Sequence, residues 1–212
     1  FCIKNSFLQF NVEQVAEVST LSCGGVKDVS GLEAFKWLTD ISLPHGEIDH
    51  LGFLTNWPEL QYLFLGHNKI TDLSPLAKLK RLTLIDLRRN QISDLSPLAE
   101  LNMLTSLALR DNLISDISPL SELTNLDFLF LQNNRISNVA PLAGLHKLKR
   151  LQLRENLIND LSPLSSMTWL EYIDLGSNQM SDLSSLSELS SITILFLDKN
   201  QISSLSGLAG MT

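Results

Sequence analysis

The sequence predicts an α/β solenoid. Each coil is read as a short strand followed by a 3₁₀-like or short helical segment, with the strands forming one parallel sheet on a concave side and the helical segments the convex side. Three observations carry this reading. Asparagine recurs every 22 residues, at Asn68, Asn90, Asn112, Asn134, Asn156, Asn178 and Asn200. Leucine recurs three residues before each of them, from Leu65 and Leu87 through to Leu197. Inside each unit the apolar spacing changes from two to three, a change of local backbone period.

Residues 1–17, with apolar sets at Phe7, Leu8, Phe10 and at Val12, Val15, Ala16, read as a cap over the first coil, and 18–212 as the repeat array, together one domain. A cap is expected because the end coil of a stack has no neighbour to cover it. Val18, Leu21 and Cys23 match the strand pattern, with Cys23 pointing inward, and the turn at Gly24-Gly25-Val26 is two residues short. Leu38, Ile41 and Leu43 open the next unit, where Gly46 replaces the asparagine.

The full unit reads L-x-x-L-x-L-x-x-N-x-I-x-D-L-S-P-L-x-x-L-x-x, as from Leu82 to Leu101. Ile85 and Leu87 alternate with polar residues, the signature of a strand buried on one face. From Ile92 through Leu95, Leu98, Leu101 and Leu104 the spacing is three, the period of a 3₁₀ segment. Ser96-Pro97 fits its start, with Ser as N-cap and Pro where a missing N–H costs nothing. An inward asparagine amide at the turn can satisfy backbone groups of its own and neighbouring coils, so the seven asparagines are read as structural. Asp72, Asp94, Asp116, Asp160 and Asp182 stand two residues before the Ser of Ser-Pro or its equivalent, a place that favours capping a helical start over holding a metal ion.

Composition excludes several classes. Net charge is −7 and charged residues are 18%, so the positive field that nucleic acid requires is missing. Apolar residues are 44%, but leucine recurs singly, and no run approaches the ~18 consecutive apolar residues of a membrane span. No cofactor motif, Gly-rich phosphate loop or catalytic constellation appears, so no enzyme is expected. His45 and His67 would stack on adjacent strands, but two histidines without a third ligand make a surface pair rather than a metal site. Cys2 and Cys23 are the only cysteines. They suit either one disulfide in an oxidising compartment or two buried thiols. No Asn-x-Ser/Thr sequon occurs, which leans toward a bacterial source. The start at Phe1 suggests a processed or trimmed piece. The stop at Thr212, part-way round a coil, suggests a longer native chain or end-to-end self-association.

The 22-residue unit and the N-x-I-S-D-L-S-P-L run at Asn90 to Leu98, with its near-copy at Asn112 to Leu120, resemble the bacterial leucine-rich-repeat proteins typified by the internalins, over about residues 18–212. The resemblance implies a leucine-rich-repeat horseshoe in a secreted, periplasmic or cell-surface protein that binds a protein partner on the concave sheet. Residues 1–17 do not match that family's helical cap, and the immunoglobulin-like domain that usually follows its repeats is absent from this sequence. A second group with the same period, intracellular regulators that bind protein phosphatases, lacks the repeated S-P-L and is the alternative. An enzyme-associated or metal-binding repeat domain is the third.

Residues flanking the inner leucines point out of the sheet and form columns across the concave face. One runs Tyr62, Leu84, Ser106, Phe128, Arg150, Tyr172, Ile194, and the next Phe64, Asp86, Ala108, Phe130, Gln152, Asp174, Phe196. A third contains Arg88, Arg110 and Arg154, and an outermost one runs from His67 and Arg89 to Lys199. Exposed aromatics and Arg anchor protein interfaces. Tyr62, Phe64, Arg88, Arg110, Phe128, Phe130, Arg150, Arg154, Tyr172 and Phe196 are therefore the expected contacts, centred on Phe128 and Phe130. Arg150 is also placed to stack between Phe128 and Tyr172, and Asp86 and Asp111 to pair with Arg88 and Arg110.

Overall fold

The computed structural model describes residues 18–35 and 37–211, so the expected cap at 1–17 and Cys2 lie outside the described residues. Among the described residues there are nine three-residue strands: β1 (Thr20–Ser22), β2 (Asp40–Ser42), β3 (Tyr62–Phe64), β4 (Leu84–Asp86), β5 (Ser106–Ala108), β6 (Phe128–Phe130), β7 (Arg150–Gln152), β8 (Tyr172–Asp174) and β9 (Ile194–Phe196). They pair in chain order as one parallel sheet. Register follows the repeat, with Leu107 opposite Leu129 and Leu129 opposite Leu151. The fold is the leucine-rich-repeat solenoid that the periodicity predicts.

Equivalent leucines stack into the interior. Leu63, Ile85, Leu107, Leu129, Leu151 and Ile173 are fully buried, as are Leu65, Leu87, Leu109, Leu131, Leu153 and Leu175. Each such side chain contributes about 1.5–3 kcal/mol relative to exposure. Trp57 takes the position that Leu79 and Leu101 hold in later coils, is only 1% exposed, and donates its indole N–H to the Phe35 carbonyl at 2.8 Å. A buried indole needs that partner.

Beyond each strand the chain must turn sharply toward the convex side. The residue before each asparagine, and before Gly46, has a left-handed backbone: His45, His67, Arg89, Asp111, Asn133, Glu155, Ser177 and Lys199 have φ between 51° and 60°. This bend leaves backbone groups without strand partners, and the asparagines take them up. The Asn112 amide donates to the Leu87 carbonyl at 3.1 Å and the Leu109 carbonyl at 3.0 Å, while its Oδ1 accepts the Ile92 N–H at 3.0 Å. Asn68, Asn90, Asn134, Asn156, Asn178 and Asn200 repeat the pattern. At Gly46 a Cβ would stand 2.1 Å from the Val26 carbonyl oxygen, so the short turn at 24–26 brings the backbone too close for an asparagine.

The convex segments, such as Ser74–Lys78 and Ser96–Leu98, are 3₁₀ and carry Pro in the first turn. The serine is not their N-cap. Leu95 precedes the segment without a side-chain cap, and Asp94 accepts the Ser96 N–H at 2.8 Å and the Ser96 hydroxyl at 2.9 Å. A carboxylate two residues upstream can accept both donors at once, whereas a serine at the first helical position faces outward. Asp72, Asp116, Asp160 and Asp182 do the same, and Asn138 replaces them where Ala140 stands for serine. Hydrogen bonds from their serines hold the Asp72, Asp116, Asp160 and Asp182 carboxyls below the ordinary value.

Candidate concave interface

Pleating puts the two aromatic columns on the open side of the sheet. Phe128 is 41% exposed and Tyr62 and Phe196 are also exposed, while Phe64, Phe130 and Tyr172 are half-buried by their neighbours. Arg150 lies over the Tyr172 ring, its guanidinium carbon 4.7 Å from the centroid. Tyr172 in turn packs against Phe196 at 6.0 Å. Such an exposed cation–π contact contributes about 0.5–1 kcal/mol, enough to orient Arg150 without removing it from solvent.

The face divides into two parts. Over β3 to β7 it is hollowed into a trough of about 340 Å³, lined by Phe64, Leu84, Ser106, Ala108 and Phe130, with Arg88 and Arg110 on one rim. Asp86 stands in the strand column but is 7% exposed, because its carboxylate turns back to accept the Arg88 N–H at 3.1 Å and pair with the Arg88 guanidinium at 2.7 Å. Asp111 pairs with Arg89 at 3.0 Å and Arg110 at 2.9 Å and accepts from Asn133 at 2.8 Å. Burial pushes the Asp111 carboxyl up, but the hydrogen bonds from Asn133, Arg110 and Arg89 outweigh it and leave it below the ordinary value. Gln132 and Gln152 are joined by a side-chain hydrogen bond at the trough's end.

Toward the C-terminal coils the arginine is committed inward. Arg154 reaches Asp174 at 3.2 Å and also grips both oxygens of Asp198, two coils away. Asp174 is 8% exposed and also accepts the Gly176 N–H at 3.1 Å. The Asp198 and Asp174 contacts hold the Arg154 guanidinium more basic than usual, and the same pairing lowers Asp198. A Cβ on Gly176 would stand 2.4 Å from the Arg154 guanidinium, so glycine there makes room for the clamp. At the other end of the sheet the His45 and His67 rings stack with centroids 4.0 Å apart, and burial, then the charges of His45 and the nearby arginines, lower the His67 pKa.

The family profile described as "Leucine Rich repeats (2 copies)" matches residues 58–100, 102–144, 124–166, 146–188 and 168–210. A crystal structure of an internalin, InlF, from Listeria monocytogenes is 33% identical, with a TM-score of 0.84 over 96% of this chain and 67% of that one. Internalin C2 from the same organism is 36% identical, with a TM-score of 0.83 over 89% of this chain and 84% of that one. The chain belongs to the internalin-like leucine-rich-repeat family. A Leptospira interrogans leucine-rich-repeat protein at 22% identity and a TM-score of 0.72, covering 93% of this chain and 59% of that one, shares the fold. No curated protein gives a significant match.

As an internalin-like repeat protein the chain is a protein-interaction scaffold. Among the described residues, no helix is long and apolar enough to cross a membrane. Of the expected contacts, the structure brings Phe64, Phe130, Arg88 and Arg110 together around the trough and Arg150, Tyr172 and Phe196 into a separate stack, with Phe128 exposed between them. Arg154 is held by two aspartates instead of projecting freely. The contribution of Ser106 and Ala108 escaped the sequence reading, although both stand in its columns. The usable signal was two small residues in one coil between coils carrying phenylalanine.

Proposed function

We propose that this is a non-enzymatic bacterial protein, secreted, periplasmic or displayed on the cell surface, that binds a protein partner across its concave sheet. The observation that carries the reading is the set of exposed aromatics and Arg on the strands, at positions whose side chains the stack does not need. Phe128, Phe130, Arg150 and Tyr172 are its central anchors, with Tyr62, Phe64, Arg88, Arg110 and Phe196 around them. In this reading residues 1–17 form the cap, and a Cys2–Cys23 disulfide ties it to the first coil, where Cys23 is buried.

The test uses a purified, identified partner and measures its affinity for Phe130→Ala, Arg150→Ala and Lys78→Ala variants. Truncating a true anchor costs 2 kcal/mol or more, so at about 1.4 kcal/mol per decade the first two variants are expected to bind at least tenfold more weakly at an unchanged melting temperature. Lys78, on the convex side, is expected to be silent. Loss of binding with Lys78→Ala and none with the concave variants would place the interface on the other face.

A further inference from the structure

The trough is built from residues that break the columns. Phe64 and Phe130 stand in the same repeat position, three coils apart, which is about 14 Å at ~4.8 Å per strand. Between them the position holds Asp86, folded down onto Arg88, and Ala108, while Ser106 occupies the place that Tyr62 and Tyr172 fill elsewhere. Two aromatic walls thus face each other across a floor of small side chains. The resulting volume of about 340 Å³ lies near the lower end of the roughly 300–1,000 Å³ typical of ligand sites.

The rim gives the charge of what would fit. Arg88, Arg89 and Arg110 face Asp86 and Asp111, a local balance of 3 − 2 = +1 within a chain of net charge −7. The side chains of the two aspartates are 11% and 21% exposed, against 52%, 52% and 44% for the three arginines. The outward charge is therefore positive. Arg88 meets Asp86 through one terminal nitrogen and Arg110 meets Asp111 through Nε, which leaves guanidinium N–H groups on both directed at solvent. An exposed pair of this kind readily accepts a further carboxylate in bidentate fashion.

We infer that the trough receives an extended segment of a protein partner in which a large apolar side chain, seated between Phe64 and Phe130 over Ala108, is accompanied by an Asp or Glu that pairs with Arg88 and Arg110. This rests on the concave-face reading and names the chemistry recognised there. The apolar side chain loses its water against the aromatic walls, and the carboxylate fixes the direction of the segment along the sheet.

Because phenylalanine and tyrosine already occupy the equivalent positions in other coils, Ala108→Phe and Ser106→Tyr fill the trough without asking the fold for anything new. The probe is a displayed library of random linear peptides, selected on the wild-type protein. Enriched peptides are expected to carry an aromatic or large aliphatic residue within a few positions of Asp or Glu. As synthetic peptides they are expected to lose at least tenfold in affinity for Ala108→Phe, for Ser106→Tyr and for Arg110→Gln, each with an unchanged melting temperature. Peptides that keep their affinity for these variants but lose it for Phe128→Ala or Arg150→Ala would overturn the trough and leave the concave interface standing. Peptides insensitive to every concave substitution would overturn both, and the absence of any enrichment would overturn the trough. Wild-type dimerisation abolished by Ala108→Phe would assign the trough to a second copy and overturn the inference.

Discussion

The interior and the concave face of this molecule are built on the same 22-residue clock and obey it differently. Inside, leucine follows leucine and asparagine follows asparagine, because each coil offers its neighbour the same cavity and the same unpaired backbone groups. Outside, the same strands display Tyr, Leu, Ser, Phe, Arg, Tyr and Ile in one column and Phe, Asp, Ala, Phe, Gln, Asp and Phe in the next. Where stacking dictates the residue, the repeat is uniform. Where it does not, the variation is free to be used, and the trough and the aromatic stack lie there.

The comparison breaks most visibly at the asparagines. Asn112→Leu removes four hydrogen bonds and strands the Ile92 N–H in the interior, while the Leu87 and Leu109 carbonyls each keep one amide, from Asn90 and Asn134. At about 1–3 kcal/mol for the orphaned N–H, and about 1 kcal/mol for each carbonyl bond lost, a loss of about 3 kcal/mol is expected in urea denaturation. Phe128→Ala, one coil on, is expected to stay within about 0.5 kcal/mol. Equal losses from the two would dissolve the distinction between ladder and display.

Arg154 sharpens the comparison, since it stands in a display column but behaves as structure. Its loss leaves Asp174, nearly covered, without its cation. Arg154→Ala is therefore expected to cost about 1 kcal/mol, at the top of the range for surface pairs, and Arg150→Ala about 0.5 kcal/mol, for the loss of its exposed cation–π contact. Thermal unfolding of the two variants side by side separates them.

What the sequence could and could not show follows the same division. The coil length, the parallel register, the inward leucines and the solenoid itself were legible because they repeat. The left-handed residue of each turn was not, since it is held by seven different residue types in eight coils, yet none of them is β-branched, Leu, Met, Phe, Tyr, Trp or Pro. That exclusion was the available signal. Ser-Pro was legible as a helical start and the aspartates as its caps, but the serine's part was not, because its N–H and hydroxyl both donate to the aspartate and it caps nothing itself. In the candidate site, the columns gave the aromatic positions and the pairing of Arg88 and Arg110. The trough depends on two columns being low in the same coil, and the Arg154 clamp on a side chain crossing two coils, and neither is a property of any single repeat.

A smaller effect concerns acid. Asp72, Asp116, Asp160 and Asp182 are held below their ordinary value of 3.8 by serine hydrogen bonds. Depressed carboxyls contribute stability that is complete above the unfolded-chain value and is lost as pH falls through the folded one. Stability is therefore expected to hold down to about pH 4 and to fall below it. An Asp116→Asn, Asp160→Asn double variant keeps the acceptor, as Asn138 shows by accepting the Ala140 N–H at 2.9 Å, but has no charge to lose. Its stability between pH 4 and pH 2 is expected to decline less steeply than that of the wild type, and parallel curves would remove these carboxylates from the account.

The smallest expected change lies at the seam between the two regions, in the left-handed column. Glu155 has φ 57° and is exposed, and its N–H bonds the Gly176 carbonyl at 2.9 Å, so its backbone is fixed while its side chain is free. A residue with a Cβ gives up roughly 1–2 kcal/mol in this conformation, which glycine does not. Glycine also gives the unfolded chain more freedom, worth about 0.4–1 kcal/mol in the opposite direction. The net expected for Glu155→Gly is thus a gain of a few tenths of a kcal/mol, and Glu155→Val, with a branched Cβ in the same conformation, is expected to lose about 1 kcal/mol. Gln179→Gly is the control, since Gln179 is exposed and bonded to the neighbouring coil through its N–H but lies outside the left-handed set. There glycine brings only its entropy and is expected to destabilise by about 0.5–1 kcal/mol. Denaturation midpoints that fall equally for Glu155→Gly and Gln179→Gly would mean that the turn carries no such strain, and that the column's residue types are chosen for display alone.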